Sequence, residues 1–267
     1  MTSFPVLHHQ VVGPADAPLM VLGPSLGTSM TVWEPHLTAL ADRYRVLRFD
    51  LPGHGGSPTG LLRDPAPGRT TVEDLASLVL ALVEHQGGDR FHYAGISLGG
   101  AIGAHLAVRH PARIDSLALV CSSAHFGAPE PWWERAALVR QKGTRTLLET
   151  SPERWFADPG TAETRFGSSL LQNLAATDPA GYAACCDALA TYDLRPELAR
   201  ITAPTLVVGG SDDIATPLHH ARELADGIPG ATLRTVAAGH LAVEEPRAVE
   251  TALSAHLSTA HTRSVRL

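Results

Sequence analysis

The most informative segment of the chain is Gly95-Ile96-Ser97-Leu98-Gly99-Gly100. The aromatic run 91–94 before it predicts a buried strand, and the run 101–108 after it predicts a helix. A strand, a G-x-S-x-G turn and a helix together form a nucleophile elbow, in which a strained turn exposes a serine hydroxyl above a sheet. Glycines at both ends of the motif let the strand and the helix approach closely. The pattern therefore predicts that Ser97 is a catalytic nucleophile.

Strands and helices alternate on both sides of this stretch. Further strands are predicted at residues 6–12, 19–23, 45–49, 116–121, 205–209 and 232–236, and the second of these is a continuous apolar run. Helices are predicted at residues 33–41, 70–86, 218–225 and 246–257, the second of them opened by a capping box of Thr70 and Glu73. Such alternation is typical of a mostly parallel sheet with helices on both faces, so the predicted fold class is α/β.

The character of the chain changes between residues 123 and 200. This segment holds no convincing strand, and its helical stretches are interrupted by three prolines. We interpret it as a helical insertion, called the cap segment below. The predicted organisation is a core domain of residues 1–122 and 201–267 with a helical cap at 123–200.

Composition excludes several classes of partner. The 267 residues carry a formal net charge of −6 that is spread along the chain, without the basic stripe that nucleic acid or a membrane surface attracts. The longest apolar run, around Leu78–Val83, is far shorter than a membrane span. We therefore expect neither nucleic acid nor a membrane as a partner, and the sequence gives no expectation for the oligomeric state.

Targeting and cofactor signals are lacking in the sequence as well. Met1–Pro5 has neither the basic region nor the apolar core of a secretion signal, and three cysteines do not make a disulfide framework. These observations predict a cytoplasmic protein. The sequence shows no metal-ligand cluster and no dinucleotide fingerprint, so we expect no metal and no cofactor.

The partners of Ser97 are predicted from the ends of later strands, because a serine hydroxyl needs an oriented base to take its proton. In parallel α/β sheets the active groups lie where strands reach their carboxyl ends. Asp212 and Asp213 follow the strand at 205–209, and His240 follows the last predicted strand. Serine, aspartate, histidine is the chain order of a nucleophile-elbow triad. The order predicts His240 as the base and leaves both aspartates open as its orienting group.

Two other histidines compete with His240 among the 14 in the chain. His54 follows an early strand, which is out of order for such a triad. His105 lies two turns along the helix behind the serine. Position therefore argues against both.

The tetrahedral intermediate of acyl transfer needs two N–H donors, which form an oxyanion hole. Leu98 follows the nucleophile directly and is predicted to supply one backbone N–H. Leu26, in the loop Pro24–Gly27 after an early strand, is the candidate for the other.

With these motifs the chain resembles the α/β-hydrolase superfamily over nearly its whole length. The resemblance lies in four segments: Asp50-x-x-Gly53-x-Gly55-x-Ser57, the elbow at 95–100, Asp213-x-x-x-Pro217 and Gly239-His240. It implies an α/β-hydrolase fold with a mostly parallel central sheet flanked by helices. The four-residue spacing to Pro217 is the usual one in this superfamily, so it favours Asp213 over Asp212. These motifs specify a superfamily and not a substrate.

Finer features are similar to the 3-oxoadipate enol-lactonases of aromatic catabolism. They are the run Ser25–Thr28 followed by Trp33, then Cys186 and Asp193 ahead of the strand at 205, and the run Asp213-Ile214-Ala215-Thr216-Pro217. Pro24 departs from the asparagine expected in such a loop. The resemblance implies an enzyme of the β-ketoadipate pathway that opens the enol-lactone ring to 3-oxoadipate through an acyl-enzyme on Ser97.

The substrate that this resemblance implies carries a carboxylate, so the cap segment is expected to offer a cation. Arg135 is the first candidate, against the alternative that it faces water like other arginines nearby. Trp132, Trp133 and Trp155 are expected to line the roof of the pocket, with helix packing as the alternative role.

Two further functions stay open from the sequence. The same triad would serve a broader carboxylesterase or a cofactor-free perhydrolase of the haloperoxidase type. A non-catalytic receptor that binds a small ligand in the pocket of this fold is a remote alternative. The presence of the serine, the aspartate and the histidine together argues against it.

Overall fold

The computed structural model describes residues 6–264, with side chains to residue 258. Met1–Pro5, on which the expectation about a secretion signal rests, and residues 265–267 lie outside the described residues. The strands are β1 His9–Val12, β2 Leu19–Gly23, β3 Arg45–Phe49, β4 Phe91–Ile96, β5 Ile114–Val120, β6 Thr205–Gly210 and β7 Thr232–Val236. The α-helices are α1 Glu34–Ala41, α2 Val72–His85, α3 Leu98–Arg109, α4 Glu130–Lys142, α5 Ser151–Trp155, α6 Arg165–Ala176, α7 Pro179–Ala190, α8 Leu218–Gly227 and α9 Pro246–Ser264.

One seven-stranded sheet in the order β1-β3-β2-β4-β5-β6-β7 forms the centre of the described chain. β1 pairs antiparallel with β3, and the other neighbouring pairs are parallel. Parallel strands that are buried on both faces consist of continuous apolar runs, and β2 and β4 are buried along their whole length. The predicted α/β fold is therefore confirmed, and the carboxyl ends of β4, β6 and β7 meet at one edge of the sheet.

Most element boundaries agree with the sequence patterns, and β2, β3 and β7 have the predicted bounds. The predicted capping box is wrong by one residue. Thr71, not Thr70, caps α2: its hydroxyl accepts from the Asp74 N–H, and the Asp74 carboxylate accepts from the Thr71 N–H. Thr70 is buried and donates its hydroxyl to a backbone carbonyl instead. α9 continues past the predicted end at Leu257 to Ser264.

Helices α4 to α7 of the cap segment lie between β5 and β6 in the chain. The two ends of the segment are joined where they leave the sheet, since the Leu194 N–H donates to the Ala124 carbonyl oxygen at 2.8 Å. α4 packs against α7, and Arg140 pairs with the buried Asp187 at 2.5 Å. The predicted boundaries between core domain and cap stay a prediction.

The lengths of the helices bear on the membrane expectation. α9 is the longest, at 19 residues. Within residues 6–264, no helix is both long and apolar enough to cross a bilayer.

Candidate active site

The elbow around Ser97 depends on closely packed glycines. Ser97 has φ 56° and ψ −117°, a backbone conformation that residues other than glycine rarely adopt. A Cβ atom on Gly95 would lie 2.2 Å from the Gly99 carbonyl carbon, and one on Gly99 would lie 2.4 Å from the Gly23 carbonyl oxygen. β2, β4 and α3 therefore approach one another too closely for side chains at these positions. The turn has the sharp form that the motif predicts.

Ser97, His240 and Asp213 form a hydrogen-bonded series at the carboxyl edge of the sheet. His240 Nε2 lies 2.9 Å from Ser97 Oγ. His240 Nδ1 lies 3.1 and 3.0 Å from the two carboxylate oxygens of Asp213. All three residues are buried. In this geometry the imidazole can take the serine proton while the carboxylate holds the tautomer that carries a proton on Nδ1.

The turn that follows Asp213 fixes its carboxylate. The backbone N–H groups of Ala215 and Thr216 donate to Oδ1 at 2.8 and 2.9 Å, and Thr216 Oγ1 lies 2.6 Å from Oδ2. Burial acts to raise the pKa of Asp213. The charge of the His240 ring and the hydrogen bonds from His240 and Thr216 together hold that pKa below its ordinary value. Asp213 is therefore a carboxylate at neutral pH.

The competing candidates for the series are placed elsewhere. Asp212 is exposed, and its carboxylate accepts a hydrogen bond from the hydroxyl of the residue before it. His54 makes its hydrogen bonds to the backbone of two loops, and His105 lies within α3. The structure thus links Ser97 to His240 and His240 to Asp213, and the three competing residues take no part in this series.

The two predicted oxyanion donors lie next to the serine and in the loop after β2. Leu98 is the first residue of α3, so the helix provides no acceptor for its N–H. Leu26 is the second residue of a turn in which the Thr28 N–H donates to the Ser25 carbonyl oxygen at 3.1 Å. The third residue, Gly27, has φ 81°, which makes the turn type II. Leu26 lines the same cavity as Ser97, and the donor role of both N–H groups stays a prediction.

A narrow cavity that is open to solvent lies beside Ser97. Its lining, from the sheet edge and the cap segment, consists of Ser25, Leu26, Ser97, Phe126, Trp132, Arg135, Arg154, Trp155, Tyr182, Leu189, Ala215, Thr216 and His240. Trp132, Arg135 and Trp155 are among these lining residues, and their roles in substrate binding stay a prediction. Trp133 lies outside this lining and is 44% exposed, so its prediction is wrong. Adjacent side chains of a helix point about 100° apart, and in α4 it is Trp132 that faces the cavity.

Arg154 is a charged lining residue that the sequence did not predict. Its guanidinium carbon lies 5.9 Å from the centroid of the Trp132 ring, a cation–π contact. Burial, followed by the charge of Arg135, lowers the pKa of Arg154. Arg135 itself donates to the Tyr182 hydroxyl at 3.1 Å. The one signal in the sequence is that Arg154 precedes Trp155, and this does not distinguish it from the other arginines of the cap segment.

One other group of described side chains has the donor types of a metal site. His125, His220 and Glu223 each place one potential ligand atom within 4.8 Å of the others, and none of the three is among the residues that line the cavity. His125 Nε2 lies 3.5 Å from Glu223 Oε2, and Ser123 Oγ lies 2.7 Å from His220 Nδ1. The sequence did not indicate this group because His125 is far from the other two residues in the chain.

The fold and the serine–histidine–aspartate series together define an α/β hydrolase. A family model described as the alpha/beta hydrolase fold matches residues 18–246, and the chain belongs to this family. The 3-oxoadipate enol-lactonase 2 of Acinetobacter baylyi is 34% identical over 252 residues, which cover 93% of this chain and 92% of that relative.

Two further relatives bear on the substrate. The solved structure of the enol-lactonase from Burkholderia xenovorans LB400 is similar, with a TM-score of 0.88 and 36% identity, covering 94% of this chain and 96% of the other. A Pseudomonas syringae pv. syringae protein named for carbamate hydrolysis, RutD, is 33% identical over 260 residues, covering 92% of this chain and 95% of its own. The predicted resemblance to enol-lactonases is therefore confirmed, while the names of the relatives differ in substrate.

Proposed function

We propose that this protein is a 3-oxoadipate enol-lactonase of the β-ketoadipate pathway, which opens a small carboxylated lactone with Ser97 as nucleophile. Its similarity to enol-lactonases over nearly the whole chain supports the proposal. The buried series of Ser97, His240 and Asp213 supports an acyl-enzyme mechanism.

The observation that carries the proposal is the pair of guanidinium groups in the cavity of Ser97. Arg135 and Arg154 line this cavity, and no aspartate or glutamate is among its described lining residues. A guanidinium group can hold a carboxylate through two hydrogen bonds. A carboxylate on the substrate would therefore supply the countercharge that the cavity wall lacks.

In the proposed reaction, Ser97 Oγ attacks the lactone carbonyl carbon while His240 Nε2 takes the hydroxyl proton. Asp213, an ionised carboxylate, stabilises the imidazolium that results. The N–H groups of Leu26 and Leu98 donate to the oxyanion of the tetrahedral intermediate. Removing one donor of this kind typically costs on the order of 10²–10³ in turnover.

Collapse of the tetrahedral intermediate breaks the ring C–O bond and leaves the acyl chain on Ser97. The departing oxygen is an enolate, which takes the proton from His240, and the enol then tautomerises to the ketone. A water molecule deprotonated by His240 attacks the acyl-enzyme ester. Release of the 3-oxo acid restores the serine hydroxyl.

Hydrolysis of a carboxylated carbamate is a second candidate, favoured by the relatives named RutD. It would use the same serine and the same two arginines, so the site alone does not separate it from the first candidate. A broader carboxylesterase or a perhydrolase, in contrast, would not need the arginines. The relative activity of the enzyme on these substrates therefore distinguishes these functions.

The test compares three substrates with wild type and with Ser97→Ala. The enol-lactone is generated in situ by a carboxymuconolactone decarboxylase and followed by ultraviolet absorbance, beside p-nitrophenyl acetate and a carboxylated carbamate. We expect lactone loss to be the fastest reaction and to fall on the order of 10⁶-fold in Ser97→Ala. Ser116→Ala, which alters a buried serine on β5 outside the cavity lining, is the control and is expected to retain activity.

Each result has a defined meaning. Ester or carbamate turnover as fast as lactone turnover would overturn the lactonase assignment and leave the triad in place. Undiminished turnover by Ser97→Ala would overturn the role of the triad.

A further inference from the structure

His54, in the loop after β3, is a fully buried residue that the proposed reaction does not use. Its Nδ1 lies 3.0 Å from the Pro52 carbonyl oxygen, and its Nε2 lies 3.1 Å from the Gly27 nitrogen. A carbonyl oxygen only accepts and a backbone N–H only donates, so Nδ1 carries the proton and Nε2 carries the lone pair. One tautomer of a neutral ring satisfies both contacts.

The surroundings keep this ring neutral. Burial has the largest influence and lowers the pKa of His54 to about 4, although the hydrogen bond to Pro52 and the charges of Asp50 and Asp178 act to raise it. At pH 7 the Nε2 atom is therefore free to accept. A protonated ring would instead direct an N–H group at the N–H of Gly27.

His54 Nε2 accepts a hydrogen bond from the central peptide of the Ser25–Thr28 turn. That peptide joins Leu26 to Gly27, and type I and type II turns differ by its flip. The Gly27 N–H donates to His54, and the φ of 81° at Gly27 corresponds to the type II form. His54 therefore fixes the orientation of the peptide that directly follows the proposed oxyanion donor, Leu26.

The face of the same ring contacts the cap segment. His54 stacks on Tyr182, with ring centroids 6.1 Å apart and planes inclined by 25°. The Tyr182 hydroxyl accepts the hydrogen bond from Arg135. The buried His54 ring thus contacts the Ser25–Thr28 turn directly, and it contacts the proposed carboxylate-binding Arg135 through Tyr182.

We propose that His54 is a positioning residue that holds the turn of Leu26 in its type II form and keeps Tyr182 in place for Arg135. This inference rests on the proposed function, because the Leu26 N–H has a role only if a tetrahedral intermediate forms. His54 is not among the described residues that line the cavity, so it acts through its neighbours.

The test uses two substitutions and one control. His54→Phe keeps a ring against Tyr182 and loses the acceptor, whereas His54→Gln keeps a side-chain oxygen that can accept from Gly27. We expect kcat for p-nitrophenyl acetate to fall on the order of 10- to 100-fold in His54→Phe, with KM within about twofold of wild type, and to recover partly in His54→Gln. The control is His256→Phe, on α9, where burial also lowers the pKa of the histidine to about 4.

A transition-state mimic separates positioning from a loss of stability. Phenylboronic acid forms a tetrahedral adduct with a serine nucleophile and places an oxygen in the oxyanion hole. We expect its affinity to weaken in parallel with kcat in His54→Phe and to stay unchanged in His256→Phe. A kcat and a boronate affinity within about twofold of wild type in His54→Phe would overturn the inference. The proposed function would still stand if Ser97→Ala is inactive.

A measurement on the wild-type protein does not depend on whether the variants fold. Nitrogen-15 chemical shifts of labelled histidine report which ring nitrogen carries the proton. We expect His54 to carry its proton on Nδ1 at pH 7. A proton on Nε2 would overturn the inference, because that nitrogen could not accept from Gly27.

Discussion

The sheet edge and the cap segment face the same cavity but hold their side chains in different ways. At the sheet edge, the backbone fixes Ser97 through a strained turn and Asp213 through two N–H donors. In the cap segment, Arg135 is held by one side-chain hydrogen bond and Arg154 by contact with a ring. The backbone therefore fixes the groups that we propose for bond making, whereas packing between side chains positions the groups that we propose for substrate choice.

The two regions are therefore expected to respond differently to substitution. A change at the sheet edge should reduce turnover of every substrate, because each substrate needs the same nucleophile and base. A change in the cap segment should alter the preference among substrates and leave the chemistry intact.

The largest effect is expected from Asp213→Asn, compared with Asp212→Asn. The amide cannot hold His240 in the tautomer that accepts the serine proton, so kcat should fall about 10⁴-fold on both p-nitrophenyl acetate and the lactone. Asp212 is exposed, and its substitution should leave kcat within about twofold of wild type. Steady-state kinetics on both substrates checks this. Equal losses in the two variants would contradict the assignment of Asp213.

A smaller and more selective effect is expected from Arg135→Ala and Arg154→Ala. Loss of a hydrogen bond to a charged group costs about 1.5–3 kcal/mol, so kcat/KM for the lactone should fall on the order of 10- to 100-fold. For p-nitrophenyl acetate, which has no carboxylate, kcat/KM should change less than about threefold. Arg145→Ala, an exposed site of the cap segment, is the control. Equal losses on both substrates would show that the two regions are not separable.

The pH dependence of stability tests whether His54, which contacts the turn of Leu26, is a neutral buried ring. Burial lowers its folded-state pKa to about 4, so between there and its ordinary pKa of 6.5 the unfolded chain binds a proton that the folded chain lacks. The free energy of unfolding therefore has its full value from this residue above about pH 6.5 and decreases as the pH falls toward 4. One such residue adds about 1.4 kcal/mol per pH unit to the slope of the free energy of unfolding.

Urea unfolding of wild type and His54→Phe between about pH 5 and pH 6.5 measures this slope. The slope for the variant should be smaller by the amount that one proton contributes, because the other buried histidines contribute equally to the slopes of both proteins. Identical slopes would mean that His54 is not a neutral buried ring.

The smallest effects are expected from the adjacent tryptophans of α4. Trp132 lines the cavity and lies against Arg154, so Trp132→Ala should raise KM for the lactone about fivefold through loss of the cation–π contact. Trp133 lies outside the cavity lining and is 44% exposed, so Trp133→Ala should leave KM unchanged within about twofold. A KM change in Trp133→Ala as large as that in Trp132→Ala would contradict the placement of the cavity wall.

Much of the fold was predictable because local constraints are strong there. β2 is a continuous apolar run between two prolines, and the predicted bounds of β2 and β3 agree with the structure. The cap of α2 was not predictable in the same way. Thr70 and Thr71 each have an acidic residue three positions later, so the sequence offers two registers for the capping box. Burial of Thr70, which is a tertiary effect, selects the second register.

The same distinction applies to the candidate site. Ser97 and His240 could be located from the sequence because glycine motifs and chain order constrain the backbone around them. Which face of α4 is turned toward the cavity depends on how the helices pack, and this places Trp132 in the lining and leaves Trp133 outside it. Arg154 has no local pattern of its own, and only the folded arrangement brings it to the cavity.

The backbone conformation of Ser97 has a consequence for the evolution of the chain. A residue other than glycine at φ 56° costs on the order of 1–3 kcal/mol, whereas glycine adopts such angles readily. A glycine at position 97 would relieve this strain, whereas an alanine would keep it, because the strain arises from the Cβ atom. Selection for stability alone would therefore remove the hydroxyl, and only selection for turnover retains it. The elbow is thus a stability–activity trade-off confined to one residue.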